Sequence, residues 1–216
     1  RSSDLVLCLD FVNTVDAWVD PADGARAQHD GDTVVLEKLV DYAALVSWGQ
    51  QAGVLSDHAA RHLRRESADR DREAAKALDR ALLLRRALYR IFKFVLKRWE
   101  PKGTDIALLQ RELTLARLHE RLTYRAGAFH YTWEIPPEAL DPMLWPVSRS
   151  AADLMTSTAL GILRQCKGEE CGWLFLDTSR NRTRQWCDMS DCGNLAKVRK
   201  FRMRAKGATA PALVDE

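Results

Sequence analysis

The sequence predicts an α+β protein, mainly α-helical: a larger helical domain with one β-hairpin, followed by a small four-cysteine zinc-binding domain ending in a helix. Three observations carry this expectation. Apolar residues recur at three-and-four spacing along most of the first 164 residues. The segment 122–135 breaks that rhythm with alternating aromatics around a glycine. Four of the five cysteines fall after residue 165, as two evenly spaced pairs. A chain of 216 residues, 46% hydrophobic and 29% charged, has room for one sizeable core plus a small appendage.

In the opening run LVLCLDFVNTVDAW, Leu5, Leu9 and Val12 keep helical spacing, although the β-branched content also permits a strand; the helix is preferred. A polar loop follows from Asp20 to Asp32. Leu36, Leu39, Val40, Ala43 and Val46 then trace an amphipathic helical face ending near Gly53. Ser56 is a candidate N-cap for a short helix, and Thr104 for one running to about Arg121. The strongest helical signal spans Asp71 to Trp99, where Leu78, Leu82, Arg85, Leu88, Phe92 and Val95 hold the period; Pro101 and Gly103 stop it. Tyr124, Phe129, Tyr131 and Trp133 around Gly127 read as the hairpin, closed by Pro136 and Pro137. The stretch Pro146 to Arg164 returns to helix and feeds into Cys166. These signals divide the chain into a helical domain (1–164), a metal-binding domain (165–206) and a flexible tail (207–216).

Cys166 and Cys171 are separated by four residues, as are Cys187 and Cys192, with fifteen between the pairs. Two short loops joined by a longer excursion can deliver four thiolates tetrahedrally to Zn2+. About 40 residues cannot bury enough apolar area to fold alone, so the metal belongs to the core of the module. Redox motifs use one pair with two intervening residues, unlike this pattern. Cys8, inside an apolar run, reads as a small core residue. Clustered thiols with no secretory features point to a reducing cytoplasm. No run approaches the roughly 18 apolar residues that would span a bilayer.

The net charge of +3 is unevenly spread. Cys166 to Lys206 holds ten Lys/Arg against five Asp/Glu, whereas residues 1–165 hold 23 of each. A turn carries Arg180, Arg182 and Arg184. The last helix is expected to bury Leu195, Val198, Phe201 and Ala205, with Lys197, Arg199, Lys200, Arg202, Arg204 and Lys206 flanking that stripe. Such a surface binds phosphates by counterion release, and DNA is the expected partner. RNA is an alternative if Trp173 and Trp186 are free to stack. A solvated cationic helix or one docked on an acidic protein is the plainer reading. A single finger covers few base pairs, so a homodimer is expected for specific recognition.

In the larger domain, Asp10, Asn13 and Thr14 interrupt apolar residues. With Arg85 they could line a pocket for a small-molecule effector, or brace local backbone. The five histidines give no metal spacing, and no Walker, GxGxxG or GxSxG pattern occurs, so catalysis is not expected. Trp18, Trp48, Trp99, Trp133 and Trp145 read as core or interface residues.

The run from Cys166 through CGWLFLDTSRNRTRQWCDMSDCGN resembles the CGNR zinc finger. LCLDFVNT, LLLRRALYRIF and SRSAADLM resemble the ABATE domain found ahead of that finger, so the resemblance covers nearly the whole chain. It implies a bacterial, stress-responsive transcription regulator whose finger binds DNA, with Cys166, Cys171, Cys187 and Cys192 as ligands. Cys192, Gly193 and Asn194 match the family motif, but Leu195 stands where the family has Arg.

Overall fold

The longest element is a helix of 26 residues, Asp71–Leu96 (α4), against which the first, second, third and fifth α-helices in chain order pack. Its inner stripe, Ala74, Ala77, Ala81, Leu84, Leu88 and Ile91, advances by three and four residues. The small residues at one end of that stripe let neighbouring helices approach closely. Leu78, Leu82 and Val95, expected on the buried face, sit half-buried at its margins.

The computed structural model describes residues 6–19 and 33–207. The expected loop at 20–32 and the tail beyond 207 lie outside the described residues, as do the side chains of Lys200, Arg204, Ala205 and Lys206.

The opening run divides into a helix, α1 (Leu7–Val12), and a strand, β1 (Val15–Val19). Cys8, Leu9, Phe11 and Val12 are buried, and burial pushes the Cys8 thiol up to about 12. The strand pairs antiparallel with β2 (Thr33–Glu37), Val15 opposite Glu37 and Trp18 opposite Val34. This corrects the helical face expected from Leu36 onward. Leu36 lies in a strand at φ +54° and, like Val40, is exposed. The helix there, α2 (Tyr42–Gln51), starts only after Asp41, whose carboxylate accepts from Ala44 N at 2.6 Å.

Ser56 caps α3 (Asp57–Ala68) as expected, accepting from Ala59 N at 3.1 Å. Thr104 does not cap α5 (Gly103–His119), which begins one residue earlier without a side-chain cap. Two nearly dry ion pairs fasten α5 to α4: Arg80 to Glu112 at 2.6 Å and Arg90 to Asp105 at 2.5 Å. Strands β3 (Glu120–Arg125) and β4 (Ala128–Trp133) form the expected hairpin. Its two-residue loop, Ala126 and Gly127, has φ +50° and +82°, the left-handed pair that matches the twist of the strands.

Helix α6 (Leu144–Met155) is shorter than the expected Pro146–Arg164 helix. A 3₁₀ turn, Thr158–Ile162, and a strand, β5 (Leu163–Gln165), replace its second half. A strand, not a helix, therefore leads into Cys166. Phe11, Leu45, Leu84, Leu88, Phe92 and Met143 are fully buried in one continuous core, at roughly 1.5–3 kcal/mol for each such side chain. Four of the five tryptophans assigned to the interior are at least partly buried, but Trp99 is exposed, edge-on to Phe94 with Lys97 over its ring.

Candidate metal centre and nucleic-acid interface

The carboxy-terminal unit is built on a hairpin. β5 pairs antiparallel with β6 (Leu174–Leu176), Leu163 opposite Leu176 and Gln165 opposite Leu174. The connecting loop holds the first two cysteines and is closed by Cys166 N donating to Trp173 O at 2.8 Å. After the second long loop, Asp188 accepts from Ser190 N at the start of a π-helical turn, Met189–Gly193, which carries Cys192 into α7 (Asn194–Gly207).

The four Sγ atoms lie within 4.8 Å of one another, with Cys171 3.6 Å from Cys187 and Cys187 3.7 Å from Cys192. A tetrahedron with Zn–S bonds of about 2.3 Å has edges of about 3.8 Å, so the donor set fits Zn2+. Backbone N–H groups of Gly168 and Cys187 point at Cys166 Sγ, at 3.4 and 3.3 Å. Hydrogen bonds from Cys171 and Cys187 hold Cys166 far below the usual thiol range, while hydrogen bonding to Cys166 and Cys171 pushes the Cys187 thiol up, so crowded sulfurs compete for negative charge. A divalent ion removes that conflict for all four sulfurs. No other cluster of metal-ligating side chains occurs among the described residues.

Residues 163–205 match the family model of the CGNR zinc finger, and residues 5–158 match that of ABATE, described as "Putative stress-induced transcription regulator". The chain belongs to the ABATE family. No curated protein matches it. The cysteine cluster is accordingly the zinc site of the CGNR finger, with Zn2+ as its metal.

The finger is locked to the ABATE domain through backbone and core. Leu163, Leu174 and Leu176 belong to the main hydrophobic core. Trp18 N donates to Cys171 O at 2.8 Å, and Trp173 Nε1 to Val15 O at 2.9 Å. Asn13 treats Leu174 as a strand neighbour would: its Nδ2 donates to Leu174 O at 2.8 Å and its Oδ1 accepts from Leu174 N at 3.0 Å. Gly172 sits at φ +67°, and a Cβ there would lie 2.2 Å from Trp18 O.

The pocket expected from Asp10, Asn13, Thr14 and Arg85 is therefore corrected. Asn13 braces the finger. Thr14 Oγ1 donates to Phe11 O at 2.7 Å. Fully buried Arg85 donates to Thr14 O and Oγ1 and grips Glu37 with both terminal nitrogens, beneath Trp18. Burial raises the Glu37 pKa, but the Arg85 guanidinium outweighs it and holds that carboxyl below the usual range. Asp10 is half-buried. Thr14 braces local backbone, as the alternative reading expected, whereas Asn13 and Arg85 find partners far along the chain, which spacing cannot reveal.

The finger's cations separate into two groups. Arg184 is structural: its Nε donates to Trp186 O at 2.8 Å, another nitrogen donates to Cys187 O, and the guanidinium lies over Phe175. Arg199 pairs with Glu169 at 2.6 Å. Arg180, Arg182, Lys197 and Arg202 are exposed, although Arg182 also donates to Asp177 O at 2.9 Å. Asn194 is exposed and donates to Ser190 O at 2.9 Å. Asp177, a residue the sequence reading overlooked, organises the arginine turn. It is buried, and burial alone would raise its pKa. Hydrogen bonds from the Ser179 hydroxyl, Ser179 N and Arg184 N instead hold it below the usual range. The D-T-S run is a signal for such a side-chain turn.

The inner stripe expected on α7 is also corrected, because Leu195, Val198 and Phe201 are exposed. Leu195, Ala196, Arg199 and Met203 face a cleft of about 770 Å³ next to the zinc loops, whose rim carries Asp16, Glu170 and Asp191. None of Arg180, Arg182, Lys197 and Arg202 lines it. Trp173 and Trp186 are half-buried against the cysteine cluster.

Proposed function

We propose that the chain is a DNA-binding transcription regulator whose CGNR finger docks on the phosphate backbone. The observation that carries this reading is a set of four exposed cations on the finger, Arg180, Arg182, Lys197 and Arg202. None of them lines the cleft between α7 and the zinc loops, where Lys167 and Arg199 lie among carboxylates. Cations held on a metal-braced scaffold recruit phosphate by counterion release, independent of base sequence. The family description supports a regulatory role. The rings of Trp173 and Trp186 pack on the sulfur cluster, which argues against RNA stacking. The reading is of stoichiometric binding.

Fluorescence anisotropy with labelled duplex DNA over a salt series tests the proposal. Affinity should fall with salt, and Arg180→Ala, Lys197→Ala and Arg202→Ala should each lower the log–log slope by about 0.9 per lost phosphate contact. Absence of binding at low salt, or a slope unmoved by all three changes, would overturn it.

A second reading, a small-molecule-binding protein, is favoured by the cleft beside α7, where Trp173, Trp186, Leu195 and Met203 supply apolar walls. A ligand seated there would contact α7 directly. A rise in melting temperature on screening metabolites, lost in Met203→Glu, tests it.

A further inference from the structure

Among the described residues, one face of the β3–β4 hairpin is left largely exposed, with the Arg149 guanidinium over its Tyr131 ring. Leu122 stands opposite Tyr131 and Tyr124 opposite Phe129, so the four side chains share one side of the ribbon. They are 60%, 62%, 64% and 71% exposed respectively. The base of the same face is anchored: Trp133 packs against Trp145, and Glu120 pairs with Arg149. Beside it opens a second cleft of about 510 Å³, walled by Tyr131, Trp133, Pro146 and Leu154. A two-stranded ribbon is marginal in water by itself. Soluble monomers rarely leave so large a contiguous apolar patch wet.

We propose that this face is the interface of a twofold homodimer, with two hairpins packed face to face and each Tyr124–Phe129 pair seated over the cleft of the other copy. The area argues for this occupant. Three rings and a leucine at these exposures offer roughly 500 Å² per copy, taking about 200 Å² for a fully covered aromatic. Specific interfaces begin at about 600 Å² per partner, and the cleft walls bring the face to about that size. The cleft beside the face argues the same way, since it bears both signs: Arg149 pairs with Asp153 at 3.1 Å and with Glu120. A twofold axis brings the guanidinium groups of one copy toward the carboxylates of the other, as an isologous contact requires. The finger takes no part, so the interface stands whether or not the protein binds DNA.

Sedimentation velocity of the zinc-loaded protein over a concentration series, without DNA, tests this. The wild type is expected to reach twice the mass of one chain. Tyr124→Glu/Phe129→Glu should weaken association by on the order of 100-fold or more. Thr123→Glu/His130→Glu, on the opposite face of the same ribbon, should leave it unchanged. Circular dichroism and zinc content check that each variant is folded, and Phe129→Ser serves if the double charge disrupts the hairpin. A wild type that stays monomeric at every concentration overturns the proposal. So does a dimer that survives the apolar-face changes, or one that the opposite-face change breaks.

Discussion

The helical body and the finger meet in one core but are held by different forces. In the body, apolar side chains from α1, α2, α4 and α6 close on each other, and ion pairs such as Arg80–Glu112 stitch the rim. In the finger, Leu163, Leu174 and Leu176 belong to the body's core, while Phe175 is buried against the cysteine cluster. What remains around the sulfurs is loop, turn and an α7 whose apolar positions Leu195, Val198 and Phe201 are wet. The difference teaches that a small module can rely on a metal at one end and a borrowed core at the other. Helix α4 makes the same point from the opposite side, since its three-and-four stripe is covered throughout its length.

Removing the metal breaks this comparison most directly. Chelation should abolish amide protection in the zinc loops, residues 166–172 and 183–193, while α4 stays protected, because zinc supplies on the order of 10 kcal/mol to fingers of this kind. Hydrogen exchange read by mass spectrometry checks it. Equal loss of protection in α4 would mean that metal, not apolar burial, holds the body as well.

A smaller effect is expected at the seam. Gly172→Ala puts a Cβ 2.2 Å from Trp18 O at a positive φ, and should cost about 2 kcal/mol or more in urea denaturation. No measurable loss would show that the finger sits on the body more loosely than the bond from Trp18 N to Cys171 O implies.

The smallest effect is electrostatic and confined to the body. The Glu37 pKa lies below its ordinary value of 4.5 in the folded chain. The carboxylate's contribution is therefore fully present above that value and is lost as pH falls through the depressed folded pKa. Glu37→Gln should lower stability at neutral pH and flatten the acid limb of the melting curve below about pH 4.5. An acid limb identical to wild type would remove Glu37 from the set of groups that sense acid.

The features most legible in the sequence were those with local causes. The Ser56 cap, the turn around Gly127 and the paired cysteines each need only a few neighbouring residues. The opening run was half legible, because Leu9 and Val12 signal a helix while the strand from Val15 depends on β2, which begins only at Thr33. Periodicity also failed on α7: Val198 and Phe201 mark a stripe but cannot tell whether anything covers it. Leu36 and Val40 misled for the same reason. Asn13 and Arg85 were singled out as polar groups inside apolar runs. Their partners, Leu174 and Glu37, lie 161 and 48 residues away, so nothing adjacent could separate a pocket from a brace.

The amide of Asn13 stands in for a missing third strand beside β6. An excised fragment beginning at residue 163 would leave the Leu174 peptide without either of its partners and three leucines open to solvent. Such a peptide could still take up metal, yet it would be a poor proxy for the intact molecule in any binding assay. Cutting the chain between the two matched families divides a working joint.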